Sequence, residues 1–387
     1  MEGKLHFDIR DIPACARYGL SARKLWIFFR ALVLSLLSWD VFVYLGYLAA
    51  DPAGLGARWA SERILPLPSG IFWLSWQAVA LLCIGCLLAL VFLMGASLRT
   101  SRITFEQIRG DDFFSGRDAA RFAGAHWKPV AATPAVLVVG LCLAVLAGTI
   151  LGLVGRIHSA GPFLVSLLSV PAWGASLLAV LSAVALAGSL LLVPPIVACT
   201  RGDTFETIFE LFSCITSQPW RIALYWIASL VVRALGMVLF LLFSSAALLF
   251  FSRTVGLGLG GSPASTITSG LSILAPAAAG AQSRLLDLFG LSSSGPLWTG
   301  VSGTLAALSG LAIALIAGAY WLSTGTAAWT LVYLAVRHRR DGEDLLQRAD
   351  DEDFREFERQ YGSADESKRH EARDSCPADE QDGGREG

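Results

Sequence analysis

The chain has 387 residues, of which 54% are hydrophobic and only 16% charged, with 30 Lys and Arg against 31 Asp and Glu. Soluble domains carry about 25% charged residues, so this composition argues against a water-soluble globule, and a net charge of −1 gives no basis for nucleic-acid binding. The charges cluster and leave long apolar runs between them.

Crossing the ~30 Å hydrocarbon core takes about 20 apolar residues as a helix. Six runs qualify: 25–48, 70–98, 130–155, 172–200, 222–251 and 305–336. A closed β-barrel needs short alternating segments. These runs are apolar on every face, so the expected fold is all-α, a polytopic protein with six transmembrane helices in a lipid bilayer.

Residues 1–24 read as an interfacial segment. Asp11 can cap a short helix and Pro13 suits its first turn. The first run contains Arg30 and Asp40 and is too long for the apolar part of a signal peptide, so it is expected to stay in the protein. In the second run Cys83-Ile84-Gly85-Cys86 has the spacing of a redox or metal pair. It sits mid-run, where cysteine serves as a small hydrophobe. The seven cysteines form no paired extracellular framework.

Before the third run, Ser115-x-x-Asp118 can cap a helix through Ala119-Ala120-Arg121-Phe122 that leads to Trp127-Lys128-Pro129. The third run carries Gly140, Ala144, Gly148 and Gly152, each four apart, and the fourth carries Ala175, Ala179, Ala183 and Ala187. Small residues let membrane helices approach closely, so these stripes predict a tight antiparallel hairpin. Pro194-Pro195 removes backbone donors near the end of the fourth run and predicts a kink or stop.

Arg201-Gly202-Asp203 repeats the Arg109-Gly110-Asp111 tripeptide. Asp203 and Glu206 resemble a capping box. Phe205, Ile208, Phe209 and Phe212 then recur at helical spacing opposite Glu206, Thr207, Glu210 and Ser213. This reads as an amphipathic helix lying in the interface. The segments before the first, third and fifth runs share this plan, either as three copies of one elbow-plus-hairpin unit or by convergence. Segment 252–297 is rich in Gly, Ser and Ala, with a helical patch at 279–291. The tail from 337 is charged, helical in its first half and disordered from 362. A protein partner could engage the elbows or the tail.

Lys and Arg mark the cytoplasmic side. They crowd the segment before the first run (Lys4, Arg10, Arg17, Arg23, Lys24), the segment between the second and third (Arg99, Arg102, Arg109, Arg117, Arg121, Lys128), and Arg337-His338-Arg339-Arg340 after the sixth. The alternate loops carry few. Both termini are therefore expected in the cytoplasm, with the chain in a cell's inner membrane. That orientation places both RGD copies inside and sets an adhesion reading aside.

Three residues stand out within the runs: Asp40, Arg233 and Gln77. An ionisable group at bilayer depth is costly and suggests a site. At 1.5 Å per residue, Asp40 lies roughly 22 Å and Arg233 roughly 16 Å from the cytoplasmic ends of their helices, with Gln77 near the depth of Asp40. A pair of Asp40 and Arg233 could fasten helices together or line a polar cavity. No Walker loop, dinucleotide fingerprint, HExxH or GxSxG occurs, and the runs contain no histidine. No catalytic constellation, metal set or cofactor is therefore expected.

The plan RGDDFF…ARFAGAHWKP and RGDTFETIFELF…QPWR, over roughly 105–240, resembles uncharacterised bacterial multi-helix membrane families and the membrane domain attached to some glycerophosphodiester phosphodiesterases. No phosphodiesterase domain is present, so the resemblance implies the membrane part without that activity. The expected role is a non-catalytic membrane scaffold or envelope-assembly factor. The alternative is a transporter or channel-like permease working through Asp40 and Arg233.

Overall fold

A computed structural model describes residues 9–62, 64–157, 160–259, 301–342 and 345–346. The segment 279–291 and the tail beyond 346 lie outside them. The chain divides into two compact units, Met1–Val336 and Arg337–Gly387. Among the described residues there is no strand. The α-helices are α1 (Ala14–Gly19), α2 (Ala22–Ala50), α3 (Leu55–Glu62), α4 (Trp76–Arg109), α5 (Gly116–Ala125), α6 (Trp127–Val154), α7 (Ala160–Leu167), α8 (Ser169–Thr200), α9 (Thr204–Ser217), α10 (Pro219–Leu259) and α11 (Val301–Asp341).

Six of them, α2, α4, α6, α8, α10 and α11, are long and apolar enough to cross a membrane. The expected start of the second run shifts. Gly70–Leu74 forms a 3-10 turn, with Gly70 at φ +58°, and α4 begins only at Trp76. Pro194 and Pro195 do not end α8, which continues to Thr200 before Arg201 adopts a left-handed conformation.

The antiparallel α2–α4 pair is set by serine hydroxyls that donate to backbone carbonyls. Ser35 Oγ reaches Ala89 O at 3.1 Å and Ser38 Oγ reaches Gly85 O at 3.1 Å. A Cβ on Gly85 would meet the Phe42 side chain at 2.6 Å, so glycine is what permits this approach.

The α6–α8 hairpin forms, but not along the expected stripes. A Cβ at Gly140, Gly148 or Gly152 would meet nothing within 4 Å. Gly140, Gly148, Gly152, Ala175, Ala183 and Ala187 are exposed, and Ala144 and Ala179 half-buried. Buried Thr133 and Leu137 mark the packed face of α6, and Ala185, Ser189 and Leu192 that of α8. The four-residue spacing of small side chains identifies a face, not its neighbour.

Burial is concentrated at one end of the bundle. Residues 100–106 of α4, 192–199 of α8 and 327–336 of α11 are buried without a break. An unbroken run longer than one 3.6-residue turn is covered on every side. Elsewhere these helices expose Leu and Val, as lipid-facing surfaces do. The cover comes from the short helices, each packed along the end of a long one. Cys15 of α1 packs with Ala327, Ala328 and Leu331, while Ser323 Oγ donates to Gly19 O at 2.7 Å. Phe122 of α5 takes the Arg102 guanidinium of α4 over its ring at 4.7 Å. Ile215 near the end of α9 approaches Gly188, well back along α8. We call this end the collar.

The short helices therefore run back along long neighbours instead of lying flat. In α9 the buried residues are Thr207, Leu211 and Cys214, whereas Phe205 and Phe209 are exposed and Phe212 half-buried. Thr207, Leu211 and Cys214 fill the helix–helix groove, and Phe205 and Phe209 take the outer side. Asp203 occupies the N-cap position with extended backbone but makes no side-chain cap bond, and Glu206 follows in the first turn. Ser115 does cap α5: its Oγ accepts from Asp118 N–H at 3.2 Å.

Candidate functional site

Lys24 begins a polar seam between α1, α2, α4 and α11. It is 0% exposed. Its Nζ donates to Tyr18 O near the C-terminus of α1 at 2.9 Å and to Thr104 Oγ1 at 2.7 Å. The first of these satisfies a helix-end carbonyl with a cation, the favourable sign for that end. Thr104 Oγ1 donates in turn to Thr100 O at 2.7 Å, and Thr100 Oγ1 meets Thr326 Oγ1 at 3.2 Å. Hydroxyls that return their protons to the preceding turn leave no bare polar group in the helix interior.

One turn around α4 lies an ion cluster. Arg102 pairs with Glu106 at i,i+4, and Arg109 Nη1 reaches Glu106 Oε2 at 2.8 Å. Arg102 Nη1 also donates to Ala198 O of α8 at 2.8 Å, and its guanidinium lies over the Phe105 and Phe122 rings. One arginine thus ties together α4, α5 and α8. On α9, Glu210 Oε1 accepts from Tyr333 Oη of α11 at 3.2 Å.

The three intramembrane polar residues are not brought together. Asp40 Oδ1 accepts from the Leu65 backbone N–H at 3.1 Å, beyond the far end of α2. Arg233 Nη2 donates to Trp321 O at 3.0 Å, and the guanidinium lies 4.2 Å from the centroid of the Trp321 ring. No ion pair joins Asp40 to Arg233. A Cβ at Gly325 would meet the Arg233 guanidinium at 2.9 Å, so that glycine makes the room for it. Gln77 is exposed in the first turn of α4. The Ser38–Gly85 bond sets the α2–α4 register and puts Gln77 about 10 Å along the helix from the level of Asp40. The apolar run begins at residue 70, but α4 begins only at Trp76, so counting depth from the start of the run misplaces Gln77.

Cys83 and Cys86 are free and exposed on α4. Cys15, in α1, is buried, and burial pushes its thiol up to about 11, with Arg233 opposing the rise. That thiol is inert, since the thiolate is the nucleophile. Among the described residues no group of three or more His, Cys, Asp or Glu could hold a metal. In the sequence Lys24 and Arg102 read as charges flanking a span, and Glu106 as a loop residue around which nothing catalytic converges. The spacing Arg102-x3-Glu106-x2-Arg109 pairs a carboxylate with two arginines on one helix face and signals the ion cluster, but not its burial.

These features define a polytopic all-α membrane protein closed at one end by a polar, ion-paired collar. No family model matches the chain, and neither a curated protein nor a solved structure matches it.

Proposed function

We propose that the chain is a non-catalytic membrane scaffold. In this reading the collar gives a set of transmembrane hairpins one fixed arrangement and presents it to a protein partner. The supporting observation is the use made of the two charges that fall within the apolar runs. Asp40 is spent on the Leu65 backbone and Arg233 on the Trp321 backbone and ring. Each acts as a fastening between neighbours, whereas a permease working through the pair needs both charges facing one polar path. The Lys and Arg distribution favours a collar facing the cytoplasm of a cell inner membrane, with both termini on that side.

The test is a single cysteine at 233 in a cysteine-depleted background, exposed to a membrane-impermeant maleimide. The scaffold reading expects no labelling of folded protein and a reduced folded yield, because the replacement removes the α10–α11 fastening. Labelling at 233 with full yield would sink it and return the permease reading.

A further inference from the structure

Two arginines are placed differently from all those above. Arg30 is exposed on α2, with its guanidinium 5.7 Å from the centroid of the Trp26 ring, and among the described residues it has no hydrogen-bond partner. Arg221, in the first turn of α10, lies 5.0 Å over the Trp220 ring. Its Nη1 donates to Gln218 Oε1 at 3.1 Å, and the rest of the guanidinium fork has no hydrogen-bond partner among the described residues. Trp26 and Trp220 are 57% and 63% exposed, so both rings face outward with a cation held over them.

Both pairs lie where the collar ends. The bonds from Ser35 to Ala89 and from Ser38 to Gly85 set a register that brings Arg30 level with the region of Met94 on α4. Met94 is buried, whereas Val91 is 45% exposed, so the covered stretch gives way to apolar surface there. On the other side, Ile215 packs at Gly188 and α10 starts shortly after it, while Leu191 of α8 is exposed. A bilayer covering the exposed apolar stretches has its headgroups at this border.

We propose that Trp26–Arg30 and Trp220–Arg221 are two phospholipid headgroup sites, each holding the phosphate of an anionic lipid in the leaflet beside the collar. The indole settles at the boundary between acyl chain and headgroup. The ring–cation contact fixes the guanidinium so that its open fork meets phosphate oxygens. Lys128 follows Trp127 at the same point of α6, and both are exposed, but no ring–cation contact holds the lysine. It serves as the internal comparison.

The experiment is native mass spectrometry of the purified full chain equilibrated with equal amounts of phosphatidylglycerol and phosphatidylcholine. Thermal unfolding of each sample confirms that it is folded. Wild-type protein is expected to retain phosphatidylglycerol preferentially. Arg30→Gln and Arg221→Gln should each lower that preference roughly fivefold, the double variant about 25-fold, and Lys128→Gln by less than either. Trp220→Leu, which keeps the charge and removes the ring, should act in the same direction as Arg221→Gln. An unchanged preference in the double variant, no preference in the wild type, or an equal loss in Lys128→Gln overturns the proposal.

Discussion

Glu106→Gln is the sharpest test of the collar. The carboxylate and Arg102 are nearly enclosed, and Arg109 lies on the other side of it. Glutamine keeps the shape and removes the charge, leaving the buried Arg102 guanidinium without the counter-charge it has in the wild type. Breaking a buried pair from one side costs about 3–5 kcal/mol, because the surviving charge keeps its desolvation penalty. Arg102→Met removes a charge and strands only Ala198 O and the Glu106–Arg109 pair, so the double variant Arg102→Met/Glu106→Gln should be less damaged than the sum of its parts. Lys24→Met is the contrasting case. Both Lys24 partners are neutral, so methionine leaves no charge behind and removes the cost of burying one. We expect that variant to stay within about 1 kcal/mol of wild type. The assay is the midpoint of heat-induced loss of the monodisperse fraction in detergent, at low and high salt. Salt should not rescue or worsen Glu106→Gln, since enclosed pairs are weakly screened. A Glu106→Gln protein as stable as wild type, or one whose defect disappears in salt, would show that the pair is solvated and that the collar is not a dry core.

Gly19→Ala should lower stability by about 1–3 kcal/mol, the range for overpacking, because its Cβ would lie 2.6 Å from Thr324 Cα, which is backbone and cannot swing away. Gly148→Ala, with nothing within 4 Å, should leave the unfolding midpoint unchanged. The buried Cys15 thiol, raised to about 11 from an ordinary 9.0, holds its proton in the folded chain where the unfolded chain has lost it. Its contribution to stability is therefore complete below pH 9 and declines as pH rises toward 11. Cys15→Ala should flatten that decline, while the exposed Cys83, Cys86 and Cys142 should alkylate before Cys15 in native protein. A cysteine at Phe113, which is 92% exposed, should react with an impermeant maleimide only in opened cells if the collar faces the cytoplasm. Reaction in intact cells would invert the orientation.

The sequence alone determined the class of fold, because a helix that crosses a bilayer must satisfy its own backbone and show an apolar surface along its length. That requirement is local, so every long helix was legible, as were the short helices before α2, α6 and α10 and the Ser115 cap. What lies beside a helix is not a local property, and only the tertiary structure decided it. Gly148 reads as a packing residue by spacing and has open space beside it, whereas Gly19 and Gly325 have no such pattern and sit against Thr324 and Arg233. Asp40 and Arg233 drew attention because charge is rare at depth, yet their partners are backbone groups that carry no sequence signature. Lys24 and Arg102 looked like solvated flanks because they close apolar runs. They are buried because α1 and α5 fold back over them, and burial of a charge depends on what other segments cover it.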